Sequence, residues 1–192
     1  LAVGPLAYAA KAPVLLVKPT SLPAAIADVI DDLVIEGVIV AGGEAAVSDD
    51  VYDELNALPT VSDIERVSGS DRYATAVAVA TEGISRSWVN ANYVGVATGL
   101  NFPDALAAAP LAAAKKWPLF LSNPASGLSA ATRAAMAGTT HVHILGGTAV
   151  VSQAIEDSLE AAYGDANVNR LAGANRYETA CKIADYGVNS AG

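Results

Sequence analysis

Arg66-Val67-Ser68-Gly69-Ser70-Asp71-Arg72-Tyr73-Ala74-Thr75-Ala76 returns as Arg170-Leu171-Ala172-Gly173-Ala174-Asn175-Arg176-Tyr177-Glu178-Thr179-Ala180. The offset is 170 − 66 = 104 residues. Gly42-Gly43 followed by Val47-Ser48 returns at the same offset as Gly146-Gly147 followed by Val151-Ser152. Pro5-Leu6-Ala7 and Lys11-Ala12-Pro13 return as Pro110-Leu111-Ala112 and Lys116-Trp117-Pro118, at 110 − 5 = 105. One residue is therefore gained or lost between Pro13 and Gly42. Three ordered blocks at one period mark a tandem repeat. The 192 residues divide into a partial unit over 1–65, a complete unit over 66–169 and the start of a third over 170–192. The last is expected to pack near 1–65, with Leu171 close to Val14.

Within the complete unit, short apolar runs alternate with alanine-rich helical patterns. Strands are predicted at Ile64–Val67, Tyr93–Thr98, Pro118–Leu121 and His141–Leu145. Helices are predicted near 71–83, 102–115, 128–137 and 152–162. Four- to six-residue apolar strands between helices point to an α/β fold of repeated βα units with mainly parallel sheets. Asn101 can cap a helix that has Pro103 in its first turn and Asp104 near the positive end of its dipole. Ser48 and Ser152 are expected to cap the helices that follow them.

Composition sets the outer limits. The chain is 53% hydrophobic and 16% charged, enough to bury a sizeable core and too apolar for disorder. Eleven basic against 20 acidic residues give a net charge of −9. That argues against a nucleic-acid partner or a polybasic membrane contact. Any anionic partner has to be met by local arginines working against the global field. No apolar run reaches the ~18 residues of a spanning helix, since Lys115 and Lys116 stop the stretch that starts at Ala105. The single cysteine, Cys181, excludes a disulfide framework. It corresponds to Val77 one repeat earlier and is expected to be a small buried hydrophobe. No signal peptide is visible, and the chain reads as a piece of a longer protein.

The motifs each carry two readings. Gly42-Gly43 and Gly146-Gly147 sit between strand and helix. They could cradle an anion with backbone N–H groups or simply make a tight turn. Arg72 and Arg176 fall in the first turn of a helix, where the dipole disfavours a cation. Either an anionic ligand or a carboxylate such as Asp71 or Asp104 should compensate. A charge-assisted guanidinium bond contributes roughly 1.5–3 kcal/mol in a dry site. Asp104, in Thr98-Gly99-Leu100-Asn101-Phe102-Pro103-Asp104, could be an acid, a polymer contact or an arginine partner, with capping and arginine pairing favoured. His141 and His143 share a strand face. Their counterparts are Gly37 and Ile39, so a metal pair is disfavoured against strand histidines without a function. No nucleophile with a base, no H-E-x-x-H motif and no paired acids emerge.

The ordered motifs resemble the cell wall binding repeat 2 family. The resemblance rests on Arg66-x-x-Gly-x-Asp-Arg72-Tyr-x-Thr75-Ala, Ala97-Thr-Gly-x-Asn101-Phe-Pro-Asp104-Ala-Leu, Ile144-Leu-Gly146-Gly-x-x-Val-Val-Ser152 and the second block from Arg170 to Arg176. Trp117, where Ala12 stands one repeat earlier, departs from the pattern, and Asn175 replaces Asp71 within it. The resemblance implies Toprim-like α/β modules in tandem, on surface-layer and wall-associated proteins, that hold anionic wall polymers non-covalently. It implies an extracellular setting at the cell wall or cell surface, no catalytic residues, no cofactor and no metal. The partners expected are an anionic wall polysaccharide or teichoic-type polymer and adjacent repeat units. Polymer contacts are expected from Arg66, Arg72, Arg170, Arg176, Asn101, Gly42, Gly43, Gly146 and Gly147, supported by Asp71, Asp104, Thr75 and Thr179. Two other classes compete: a hydrolase or nucleotide-using enzyme with its site at Thr98–Asp104, and a ligand-free surface-layer scaffold.

Overall fold

The computed structural model describes residues 1–189, so the last three residues of the expected third unit lie outside the described residues. In chain order the elements are α1 (Gly4–Ala10), α2 (Ala24–Asp32), β1 (Gly37–Ala41), α3 (Asp49–Asn56), β2 (Asp63–Val67), α4 (Arg72–Ser85), β3 (Tyr93–Thr98), α5 (Pro103–Lys115), β4 (Leu119–Ser122), α6 (Ala130–Ala135), β5 (His141–Leu145), α7 (Gln153–Tyr163), β6 (Val168–Leu171) and α8 (Arg176–Asn189). The expected alternation is present, and the helix after β4 is shorter than its sequence pattern.

All the strand pairs are parallel. β1 pairs with β2. The second sheet runs β4-β3-β5-β6, with β3 central between β4 and β5 and β6 on the far side of β5. β6, the opening of the third sequence unit, therefore closes the sheet of the complete unit and forms no pair with residues 1–65. Val14 lies in a segment without strand pairing and is exposed. Of the expected C-terminal packing, α8 lies against α5, which also carries α1.

The strands of the larger sheet are buried on both faces, as parallel strands covered by helices must be. One face sets Ala97, Leu121, Leu145 and Leu171 against Ala105, Ala108 and Ala112 of α5 and Ile183 of α8. The other sets Val94, Val96, Val142 and Ile144 against Ala80 of α4, Met136 beyond α6, and Ile155 and Leu159 of α7. Alanine on α5 lets that helix approach the sheet closely. Gly4 of α1 and Ala109 of α5, equivalent under the 105-residue offset, meet at the helix contact: a Cβ on Gly4 would lie 3.0 Å from the Ala109 methyl. The smaller sheet packs β1 on α2 and α3 through Ile30, Val40, Val51 and Leu55.

The repeat extends to backbone detail. Lys11 and Lys116 both close their helices in the left-handed conformation, at φ 56° and 58°. Two predicted caps differ from expectation. Phe102, not Asn101, is the N-cap of α5, and no side chain caps there; Asn101 Oδ1 instead accepts from Phe102 N–H at 3.1 Å. Ser152 heads α7 without a side-chain bond, whereas Ser48 Oγ accepts from Val51 N–H. Cys181 is exposed, not buried. It shares a helix stripe with Tyr177 and Val188, both also exposed. Val77, the counterpart of Cys181, packs against the core on α4, which lies against β4 and α6, and among the described residues no second pair of such elements covers α8.

Candidate functional site

The chain leaves β3 for β4 in one direction and leaves β5 for β6 in the other, so the order of the larger sheet reverses between β3 and β5. At such a switch point the helices diverge to opposite faces and open a crevice at the strand C-terminal ends. A cleft of about 200 Å³ lies there. The β3–α5 turn supplies Asn101 and Asp104, the β5–α7 turn supplies Gly147, and the β6–α8 turn supplies Asn175 and Arg176. Residues from three of the predicted motifs thus meet in one place. A wider groove of about 670 Å³ at the far ends of α1 and α5, beside Trp88, collects none of them.

The four arginines divide sharply. Arg170 Nη1 donates to the Gly146 carbonyl at 2.7 Å, and its other donors form a two-pronged pair with Glu156, whose nearest contact is 2.9 Å. Arg66 repeats the first contact, donating to the carbonyls of Gly42 at 3.0 Å and Val47 at 2.7 Å. Its charge is met by Asp49 at 3.0 Å and by the ring of Tyr52, 5.0 Å from the guanidinium carbon. Tyr52 and Glu156 are the same repeat position, so a cation–π contact in one unit replaces an ion pair in the other. Sequence inspection missed both partners, although aligning the units at 104 residues sets them opposite each other. Arg66 and Arg170 clamp the Gly-Gly turns from within.

Arg72 ties α4 to the β3–α5 loop of the same unit: its Nη1 donates to the Gly99 carbonyl at 2.7 Å. The expected pairing with Asp71 or Asp104 is not made. The Asp71 carboxylate caps α4 instead, accepting from Tyr73 and Ala74 N–H at 2.9 and 2.8 Å. Asn175 does the same for α8. Thr75 and Thr179 accept from Gly69 and Gly173 N–H at 3.1 and 3.0 Å, tying each turn to its helix. Thr98 Oγ1 accepts from Leu100 N–H, a turn role and not that of a nucleophile.

Arg176 stands apart. It is exposed at the first position of α8, lines the cleft, and has no hydrogen bond or ion pair among the described residues. Asp104 is buried, at 9% exposure, and it too has neither. Burial raises its carboxyl pKa above the ordinary value, and the Arg176 charge partly opposes that rise. Gly146 makes the seat possible: at φ +109°, a Cβ there would lie 2.5 Å from Asp104 Oδ2. The helix α5 dipole offsets part of the cost of this buried charge.

His143 faces α5 and α8, stacked on Trp117 at 4.4 Å and meeting the tilted ring of Tyr186 at 4.8 Å, and His141 stacks on Tyr93 at 4.3 Å. Trp117, the departure noted in the repeat, is the residue that fills this space. Among the described residues no group of three or more His, Cys, Asp or Glu could hold a metal ion, and no helix is long and apolar enough to cross a membrane.

Residues 1–52 and 66–156 match the model of the cell wall binding domain 2 family. The chain belongs to that family. The chain is 34% identical over 157 residues to the N-acetylmuramoyl-L-alanine amidase LytC of Bacillus subtilis, covering 80% of this chain and 29% of the relative. It is 30% identical over 187 residues to the amidase enhancer of the same organism, covering 95% of this chain and 24% of that protein. Its fold matches Cwp8 from Clostridium difficile with a TM-score of 0.80 at 32% identity, over 95% of this chain and 30% of that one. Cwp6 from Clostridium difficile matches in fold with a TM-score of 0.86 at 23% identity, over 98% of this chain and 30% of that one. The chain thus spans under a third of the length of each of these proteins.

Proposed function

We propose that this chain anchors an exported protein to the cell surface by holding an anionic wall polymer, a polysaccharide or teichoic-type chain, without making or breaking a bond. The observation that carries this reading is Arg176, a guanidinium with no hydrogen bond or ion pair among the described residues, beside a cleft at the switch point of the sheet. In a chain of net charge −9, an exposed arginine lining a crevice is a local exception to the field. Membership of a cell wall binding domain family supports the wall as the place where that exception is used.

The cleft offers no reaction machinery of its own. Asp104 is the single carboxyl lining it among the described residues, and Thr179 spends its hydroxyl on the Gly173 turn. Repetition suits anchoring, because weak contacts on linked units gain from effective concentration. The polymer sites are Arg176, Asn101 and Gly147 directly. Arg72 holds the loop that carries Asn101, and Arg66 and Arg170 hold the Gly42-Gly43 and Gly146-Gly147 turns in shape.

The test is sedimentation with purified cell walls. Arg176→Ala, alone and with Arg72→Ala, retains the far-UV circular dichroism of the parent and binds walls roughly tenfold to a hundredfold more weakly, the value of one or two charge-assisted bonds. Sedimentation equal to the parent in the double variant would reject the site.

A further inference from the structure

The anchoring reading explains Arg176 and leaves Asp104 without a purpose. A carboxylate at 9% exposure, with no hydrogen bond and no ion pair among the described residues, is costly, and buried polar groups are as a rule satisfied. It is seated against Gly146, where any side chain would collide with it. It lines the same cleft as Arg176. A site for a bare anion would not place a carboxylate beside its cation.

Resting on that anchoring reading, we infer that the cleft reads two groups on one sugar unit: hydroxyls that donate to the Asp104 carboxylate, and a phosphate or carboxylate that accepts from the Arg176 guanidinium. The ligand class is therefore a hydroxylated, acidic glycan residue. A neutral sugar lacks a partner for Arg176. Inorganic phosphate, or a polymer whose anions stand alone, meets Asp104 as a like charge. A volume of about 200 Å³ lies below the roughly 300–1,000 Å³ of sites for drug-sized ligands, so the cleft takes one ring and leaves the rest of the polymer to the surface. Asn101, whose Oδ1 accepts from Phe102 N–H, keeps its amide N–H donors for the same ring.

Periodate separates the two groups chemically, because it cleaves vicinal diols and leaves phosphate and carboxylate in place. The parent chain binds periodate-oxidised walls at least tenfold more weakly than intact walls. Asp104→Asn binds intact walls at least tenfold more weakly than the parent and is indifferent to oxidation. Its melting temperature is unchanged or higher, since a buried lone charge has been removed. A cleft that reads only the anion predicts the opposite sign, with Asp104→Asn binding more tightly.

The inference is overturned if oxidised walls bind the parent as well as intact walls do, if Asp104→Asn binds like the parent, or if that variant melts well below it. If Arg176→Ala loses binding while Asp104→Asn keeps it, anchoring stands and this reading of Asp104 falls. If the parent does not sediment with intact walls, both fall.

Discussion

Arg72 of α4 reaches across its own repeat unit to donate to the carbonyl oxygen of Gly99, 2.7 Å away just beyond β3. The ring of its neighbour Tyr73 packs on the same glycine, so closely that a Cβ on Gly99 would lie 2.5 Å from the ring. The start of α4 thereby fixes the loop that presents Asn101 and Asp104 in the same unit. Arg176, at the equivalent position, makes no such bond among the described residues and lines the cleft. Arg72→Ala is expected to cost about 1 kcal/mol of stability, one partly buried hydrogen bond. Hydrogen exchange at residues 99–102 should accelerate while the amides of β5 stay protected. Unchanged exchange in that loop would show that Arg72 does not hold it.

The histidine stack gives the fold an acid limit. Burial, with His141 adding to it, pushes the His143 imidazole down to about 4 from an ordinary 6.5. The rings facing it are Trp117 and Tyr186, with Tyr93 and His141 beside them. Protons then bind the unfolded chain more readily than the native one, so this group's contribution is complete above pH 6.5 and is lost as pH falls towards 4. The loss is at most about 3 kcal/mol. Asp104 acts in the opposite sense. Its raised pKa destabilises the fold above that pKa and ceases to do so on acidification. Denaturation of His143→Phe against the parent at pH 7 and pH 4.5 checks the sign: the variant should lose less stability on acidification. An equal loss would place the acid sensitivity elsewhere.

Val34 occupies the left-handed region at φ 53°, where the next repeat has Gly138 at φ 87°. A β-branched residue is strained there by about 1–2 kcal/mol, and Val34 is 63% exposed, so it gains little from burial. Val34→Gly should stabilise by about 0.5–1 kcal/mol after the extra freedom of glycine in the unfolded chain is subtracted. Urea denaturation measures it. A destabilised variant would mean that Val34 carries packing that offsets its backbone strain.

Much of the fold was legible because its signals are local and repeated. Four-residue apolar strands, the Gly-Gly turns and the capping Asp71 and Asn175 each declare themselves within a few residues, and the 104-residue period lets one copy check the other. The phase of the sheets was not legible. Ile64–Val67 reads as the opening of the complete unit, yet it pairs with β1, and Val168–Leu171 closes the sheet of that unit. Parallel pairing joins strands separated by whole helices, so periodicity gives the length of a unit and not where its sheet is cut.

The site was legible as a set of residue types and not as a set of roles. Arg170 and Arg176 look alike in sequence, and their difference depends on Glu156, fourteen positions upstream of Arg170 and one helix away. Asp104 reads as an arginine partner, and the Arg176 charge does act on it, but its depth beside Gly146 is set by the fold and not by the motif. Cys181 reads as buried because Val77, its counterpart, lies on a helix that has neighbours on both sides.

The central claim is that a wall polymer, and not the peptidoglycan beneath it, is what the cleft holds. Sedimentation of the chain with intact walls and with walls stripped of their secondary polymers by hydrofluoric acid tests this most directly. Binding should fall to background on stripped walls, and the released polymer, supplied in solution, should displace the chain from intact ones. Equal sedimentation with stripped and intact walls would contradict the account.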